Sequence, residues 1–341
     1  MGEAIILSND DLAGKASMSE YVDVVAQGFR QRGEGATSNT PNWITGNNPD
    51  RTMIGYMAQF PEFGVMGSLQ FTLANDVHYM AVLHNLETGA PVAVMDGASW
   101  NIQKTGAVGA VSVDALARED ASTVGLLGSS RVARGVLRAT AEVRELTTVE
   151  VYSRTPENRE SFASEMDNKL DADVRAVDSS TEAVQDCDIL LTATTAHDPI
   201  VRRDEIADGT HVCAMGAEYP KREFGADTIK DATYVVDHIG RIFPGSAPER
   251  LSASGVYLEA LQEGEINESH AHGELGEVVA GSVPGRTSDN EITFFDSSGT
   301  AIESISAAYM LYEKAKEQDL GTTMPVAPIG EIEEGVGQGF Q

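Results

Sequence analysis

Thr123-Val-Gly-Leu-Leu-Gly-Ser-Ser-Arg-Val-Ala-Arg134 decides the fold, together with the apolar positions Val136, Leu137, Thr140, Val143 and Leu146 that follow it. It reads as a short apolar strand, a tight turn at Gly128 and a helix. Such a helix start aims free backbone N–H groups at one point, the geometry that binds a pyrophosphate. The dinucleotide fingerprint is Gly-x-Gly-x-x-Gly/Ala, and here Gly128-Ser-Ser-Arg-Val-Ala133 carries Ser130 in place of the second glycine. Ser129, Arg131 and Val132 complete the expected phosphate turn. The next strand, Val149-Glu-Val-Tyr-Ser-Arg-Thr155, ends where the adenosine ribose is contacted. An acidic residue there accepts from a 2′-hydroxyl, whereas arginine accommodates a 2′-phosphate. Ser153, Arg154 and Thr155, with Arg159 nearby, therefore favour NADP(H) over NAD(H).

One glycine turn is common in α/β proteins that bind no nucleotide, so the downstream rhythm carries the assignment. Val174–Val177, Ile189–Ala193, His211–Met215, Tyr234–Asp237 and Glu291–Phe295 read as short buried strands separated by helical or turn-rich segments. That alternation predicts a doubly wound α/β sheet of Rossmann type. Outside it, an amphipathic helix is predicted over Met18–Arg32, a loop over Gly33–Asn48 and antiparallel strands from Met53 to Met95. A helix over Trp100–Ala117 leads into the Gly128 turn, and a last helix spans Ala301–Gln318, before a Gly/Glu-rich tail after Pro328. The organisation expected is a dinucleotide-binding domain over 118–304, inserted in a smaller α+β dimerisation domain of 1–117 plus 305–341. A sheet with few covering helices must bury its second face, and a symmetric homodimer does so.

At 341 residues the chain can hold two cores, and it has no run of eighteen apolar residues and no basic-then-apolar start. The expectation is a cytoplasmic protein with no membrane partner. A net charge of −29, with only seven lysines among 24 basic residues, disfavours nucleic acid and anionic membranes. Acidic residues are scattered along the chain, which fits a surface solvated in a high-salt, halophilic cytosol. Cys187 and Cys213 lie in or beside expected buried strands and read as reduced core residues. His270 and His272 lack the accompanying ligand spacing of a metal site, and none is expected.

Further markers run the length of the chain: Thr88-Gly-Ala-Pro91, Met95-Asp-Gly97, Lys104-Thr-Gly-Ala107, Tyr152-Ser-Arg-Thr-Pro156 and Asp188-Ile-Leu-Leu-Thr-Ala-Thr194. They continue with Met215-Gly-Ala-Glu218, His272-Gly-Glu-Leu-Gly-Glu-Val278, Pro284-Gly-Arg286, Glu291-Ile-Thr-Phe-Phe295 and Ser297-Ser-Gly299. In order and spacing these resemble the ornithine cyclodeaminase/mu-crystallin family, which includes amino-acid dehydrogenases and imine reductases. The resemblance implies homodimers, a nicotinamide cofactor and chemistry at a carbon bearing an amine or imine. It implies cofactor contacts at Thr105, Ala193, Thr194, Met215, Gly216, Ser297, Ser298 and Gly299.

The implied catalytic positions depart from the family's pattern. Lys104 stands where an arginine usually clamps a substrate carboxylate, so a point charge replaces a fork. Gln70, in Gly67-Ser-Leu-Gln70, matches a usual lysine; Trp43 matches a second arginine, with Arg51 as its substitute; and Glu218 stands for an aspartate. His78 is expected to face the cofactor cleft. Glu218 would hold the iminium, and Lys104 would attract an anionic group or donate a proton with its pKa lowered by burial. Three readings follow: an NADP(H)-dependent imine reductase or amino-acid dehydrogenase; a cyclodeaminase with bound NAD, against which Ser153-Arg154 argues; and a binding protein for NADPH and a small ligand.

Overall fold

A computed structural model describes residues 2–40, 43–45, 51–215, 222–239 and 260–328. Two eight-stranded sheets organise them. The first comprises β1 (Gly2–Leu7), β2 (Ser38–Asn39), β3 (Trp43–Thr45), β4 (Thr52–Phe60), β5 (Val65–Leu73), β6 (Val77–Asn85), β7 (Pro91–Asp96) and β16 (Thr322–Val326). Its order is β16-β1-β7-β6-β5-β4-β2, with β3 also paired to β4. The antiparallel β4–β7 meander matches the alternation read from Met53 to Met95. The expected loop over Gly33–Asn48 instead contributes β2 and β3, short edge pairings with little side-chain periodicity to announce them.

The second sheet holds β8 (Thr123–Leu127), β9 (Thr148–Tyr152), β10 (Asp173–Ala176), β11 (Ile189–Thr192), β12 (His211–Met215), β13 (Thr233–Val236), β14 (Gly273–Glu274) and β15 (Thr293–Ser297). All its pairings are parallel, in the order β10-β9-β8-β11-β12-β15-β13-β14. The direction of strand addition reverses at β8. The crevice between the carboxyl ends of β8 and β11 is therefore the switch point at which such sheets take ligands.

Nine helices are described: α1 (Asn9–Leu12), α2 (Met18–Gly33), α3 (Asn101–Leu116), α4 (Arg131–Thr140), α5 (Pro156–Asp167), α6 (Ser180–Val184), α7 (Ala226–Asp231), α8 (Leu275–Val279) and α9 (Ala301–Glu317). Capping boxes start α2 at Ser17/Glu20 and α9 at Thr300/Glu303. On the first sheet, Ile54, Tyr56, Ala58 and Phe60 alternate with outward Met53 and Met57. Gly67 lies close under Ile305 of α9, so the inward face is the one that α9 covers. α3 joins the two sheets. A Cβ on its Gly106 would lie 2.4 Å from the Gly135 carbonyl of α4, so these helices cross backbone to backbone. The α2–α8 contact is as close, with a Cβ on Gly33 falling 1.9 Å from the Gly276 carbonyl oxygen. One hydrophobic core consequently runs from Leu7 and Phe60 through α3 to Leu126 and Phe295.

Candidate active site

At the switch point the turn has the form the sequence predicts. Gly128 has φ +116°, and a Cβ there would stand 2.5 Å from the Ala193 carbonyl oxygen, so both conformation and space require glycine. Ser130 is not a substitute phosphate cradle. It is the N-cap of α4, its hydroxyl accepting from the Ala133 N–H at 3.2 Å. That uses one free N–H of the helix start. Arg131 and Val132 contribute their N–H groups to the same opening, and the exposed Arg131 side chain adds positive charge. Arg134 fastens the turn from behind, donating to the Ser129 carbonyl at 2.7 Å and to Glu165 at 2.7 Å.

The ribose end is built of hydroxyls and one unpaired cation. Ser129 Oγ donates to Ser153 Oγ at 3.1 Å. Arg159 donates to the Ser153 carbonyl at 3.2 Å and pairs with Asp178 at 2.5 Å, its guanidinium 5.6 Å from the Tyr152 ring centroid. It is already committed, contrary to its expected share in binding a phosphate. Arg154 and Thr155 are exposed, and Arg154 has no ion-pair partner among the described residues.

Two buried carboxylates that the sequence reading missed shape the neighbouring strand ends. Glu223 accepts from Thr192 Oγ1 at 2.6 Å and from the Thr194 N–H at 2.8 Å, fixing the backbone after Ala193. Asp237 accepts from the Ser298 and Gly299 N–H groups at 2.7 and 2.6 Å and from Ser297 Oγ at 3.4 Å. An acidic residue closing an apolar strand was the available signal for Asp237. The turn geometry and the open helix start fit a dinucleotide, with Gly128 and the Arg131–Val132 N–H groups toward the pyrophosphate. The ends of β11, β12 and β15, at Ala193–Thr194, Met215 and Ser297–Gly299, lie along the same carboxyl edge of the sheet. Gly216 and Glu218 lie outside the described residues.

Lys104 sits in the first turn of α3, two residues before the Gly106–Gly135 crossing, with Thr105 beside it bonding back to the Asn101 carbonyl at 2.8 Å. Only 4% exposed, its ammonium lies 3.3 Å from Glu303, itself 1% exposed. Glu303 is held by the Thr300 N–H at 2.7 Å and the Thr300 hydroxyl at 2.6 Å. The expected lowering of the Lys104 pKa does not occur. Burial pulls it down, but Tyr56, Glu303 and Tyr79 together raise it above the ordinary lysine value. Tyr56, Phe71 and Tyr79 form the wall beside it, with centroids 6.3 Å apart for Tyr56–Phe71 and 5.2 Å for Phe71–Tyr79.

The remaining expected substrate residues are elsewhere. Trp43, Gly55, Gln70 and Met80 are successive partners across β3–β6, and Met53, Thr72 and His78 form the adjacent row. Both rows face away from Tyr56, Leu69, Phe71 and Tyr79. Trp43 is 66% exposed, and Gln70 and His78 are exposed as well. The inward positions flanking Gln70 are Leu69 and Phe71, so neither Gln70 nor His78 meets Lys104. Arg51 is exposed just ahead of β4. Of the other histidines, His84 and His272 are tied to backbone carbonyls, of Gly89 at 3.2 Å and Pro284 at 2.8 Å.

The chain resembles proteins of known activity over almost all of its length. It is 29% identical to the alanine dehydrogenase of Archaeoglobus fulgidus over 327 residues, 94% of this chain and 98% of that one. Among solved structures, the Delta(1)-pyrroline-2-carboxylate reductase of Thermococcus litoralis, in complex with NADH and L-proline, superposes with a TM-score of 0.86. It is 32% identical, covering 93% of this chain and 99% of that one. An archaeal alanine dehydrogenase dimer with bound NAD superposes at 0.87, with 26% identity over 96% of this chain and all of that one. Residues 3–319, from β1 through α9, match the profile of the ornithine cyclodeaminase/mu-crystallin family, and the chain belongs to that family.

Proposed function

We propose that this protein is a nicotinamide-dependent oxidoreductase acting on a C=N or CH–NH bond, working as an imine reductase. The observation that carries the reading is the meeting of the two sheets at α3. Gly128 turns the chain at the switch point of the parallel sheet, and α3 carries Lys104, beside Tyr56 and Tyr79 of the first sheet, to within two residues of the Gly106–Gly135 crossing with α4. The related reductase and dehydrogenases act on substrates of this bond class, which supports it. A reduced nicotinamide bound at the Gly128 turn would supply the hydride for an iminium carbon, the C=N π pair passing to the protonated nitrogen. Glu218, at the carboxyl end of β12 by sequence, is the group assigned to the iminium nitrogen.

Cofactor preference is assigned to NADP(H), because Arg154 is the unpaired cation at the ribose end and no carboxylate ends β9. The dinucleotide-binding unit is assigned to 118–304 and the second unit to 1–117 plus 305–341, with α9 spanning the last boundary. The assembly assigned is a C2 dimer through the outward face of the first sheet, where Ile6, Met53, Met57, Met80 and Met324 are exposed. The working environment assigned is a high-salt cytosol, from the charge of −29. The test is NADPH oxidation with a panel of cyclic and acyclic imines in molar salt, alongside NADPH and NADH dissociation constants. Glu218→Gln should lower turnover at least about a hundredfold while leaving cofactor affinity within twofold. Tight NADPH binding with no turnover of any imine or amine would transfer the assignment to a ligand-binding protein.

A further inference from the structure

One sheet face of this acidic molecule carries no charge. Strands β3, β4, β5 and β6 contain no Asp, Glu, Lys or Arg, in a chain of which 23% is charged and whose net charge is −29. Charged residues return at the strand ends and connections, as Arg51, Glu62, Asp76 and Glu87. The inward positions of these strands are core, so their apolar character needs no further cause. The outward positions do need one, because Trp43, Met53, Met57 and Met80 are exposed there. An uncharged centre inside a charged rim is the anatomy of a protein–protein interface. In a chain this acidic it is also the surface on which a second copy can lie without bringing like charges together.

The same face holds a hole and a knob. The hole is a cavity of about 450 Å³ lined by Ser38, Thr40, Met57, Met66, Ser68 and His84. Ser38, Gln59, Met66 and His84 are successive cross-strand partners, and Met57 and Ser68 form the next row, which puts the cavity on the outward face. Its methionines give apolar walls. His84 Nδ1 lies 3.2 Å from the Gly89 carbonyl. A carbonyl only accepts, so that nitrogen carries the proton and Nε2 of the same ring is an acceptor. The knob is Trp43, 66% exposed and paired with Gly55, which has no side chain to cover it. An indole is a large apolar body with one N–H that needs an acceptor when buried, and the cavity supplies both halves of that requirement. Gly55 and Met57 are two residues apart on β4, about 7 Å. In a two-fold dimer each surface meets its own copy, so a knob and a hole this close engage twice over.

We infer that Trp43 is the anchor of self-association: the indole of each copy fills the methionine-walled cavity of the other. This rests on the assignment of a C2 dimer to the outward sheet face and names the contact that fixes it. Trp43, which aligns with a substrate-binding arginine of the family, is then committed to pairing copies of this chain and leaves the substrate to other residues.

The indole is its own reporter. Trp100, the other tryptophan of the chain, is fully buried, so acrylamide quenching of the fluorescence reports on Trp43. In the dimer in molar salt neither tryptophan should be open to acrylamide. Trp43→Ala should weaken self-association about a hundredfold or more in sedimentation, with an unchanged circular dichroism spectrum. Protomers carrying Trp43→Cys, mixed with protomers carrying Ser68→Cys, should be joined by a short bismaleimide more fully than either kind alone. Cys187 and Cys213 are buried and do not compete for the reagent. If the Trp43 variants do not fold, quenching of the unaltered protein decides. A dimer whose Trp43 stays open to acrylamide, or one that Trp43→Ala leaves intact, overturns the inference and keeps the dimer assignment. A monomer at every concentration in molar salt overturns the dimer assignment and the inference with it.

Discussion

Replacing Lys104 by methionine tests whether its charge is spent on Glu303. At 3.3 Å, with an effective dielectric of about 20, the attraction is about 5 kcal/mol, offset by the desolvation of two nearly sealed groups. The net worth of the pair is small, but the cost of breaking it is not. Lys104→Met leaves the Glu303 carboxylate buried with only its Thr300 bonds, and should destabilise the fold by about 3–4 kcal/mol. Glu303→Gln should cost a similar amount by stranding the ammonium. The double variant, with neither charge, should recover to within about 1–2 kcal/mol of the unaltered protein, a coupling on the order of 4–7 kcal/mol. Urea unfolding at one fixed salt concentration, followed by both fluorescence and circular dichroism, measures all four corners of the cycle. A coupling below about 0.5 kcal/mol would mean that the two groups act independently, and the account of this pair would be wrong.

Arg154→Asp should invert the cofactor preference, weakening NADPH at least about tenfold through repulsion of the 2′-phosphate; similar NADPH and NADH dissociation constants for the unaltered protein would remove the basis for this. Met57 and Met80, 49% and 48% exposed on the outward sheet face, lie in the assigned dimer interface. Met57→Glu with Met80→Glu should give a monomer by light scattering in molar salt, and an unaltered protein that is itself monomeric there would refute the assembly. His211 is buried, bonded to Thr293 at 2.9 Å, and burial, then Arg286 and Arg144, lower its pKa to about 3. As pH falls below about 6.5 the unfolded chain gains a proton that the folded chain refuses, so stability declines with acid by up to about 1.4 kcal/mol per pH unit until about pH 3. Against His211→Gln, the unaltered protein should lose more stability between pH 6 and 5 in urea titrations; equal slopes would show that His211 takes up its proton in the fold.

The parallel sheet was legible because its central strands, β8, β11, β12 and β15, are short, mostly apolar runs buried on both faces, and because Gly128 punctuates the first of them. β1 and β16 were not, since they pair with each other from opposite ends of the chain and their residues carry no local sign of it. Lys104 could be named from its motif, but its partner is 199 residues away, and only the packing of α3 against the start of α9 reveals that the charge is neutralised. Gln70 illustrates a different limit. In a strand, a one-residue shift in assignment exchanges one face for the other. Aligning on Gly67 chose the residue between Leu69 and Phe71, and so chose the wrong side of the sheet. Glu223 escaped notice because its work, accepting the Thr194 N–H and the Thr192 hydroxyl, leaves no spacing rule, whereas Asp237 could have been found as the acidic residue that closes an apolar strand.

The close helix crossings have a mechanical consequence. Where Gly106 meets Gly135 and Gly33 meets Gly276, main chain rests on main chain, with no side chain between to flex, slide or repack. Two such welds restrain the halves of the molecule from swinging apart as rigid jaws, because any rotation would have to open one crossing or drive the other into overlap. Any larger motion must then come from segments outside the two crossings, with the framework between them behaving as a fixed vice. A methyl group added at either crossing would act as a shim, prising apart the two helices that meet there.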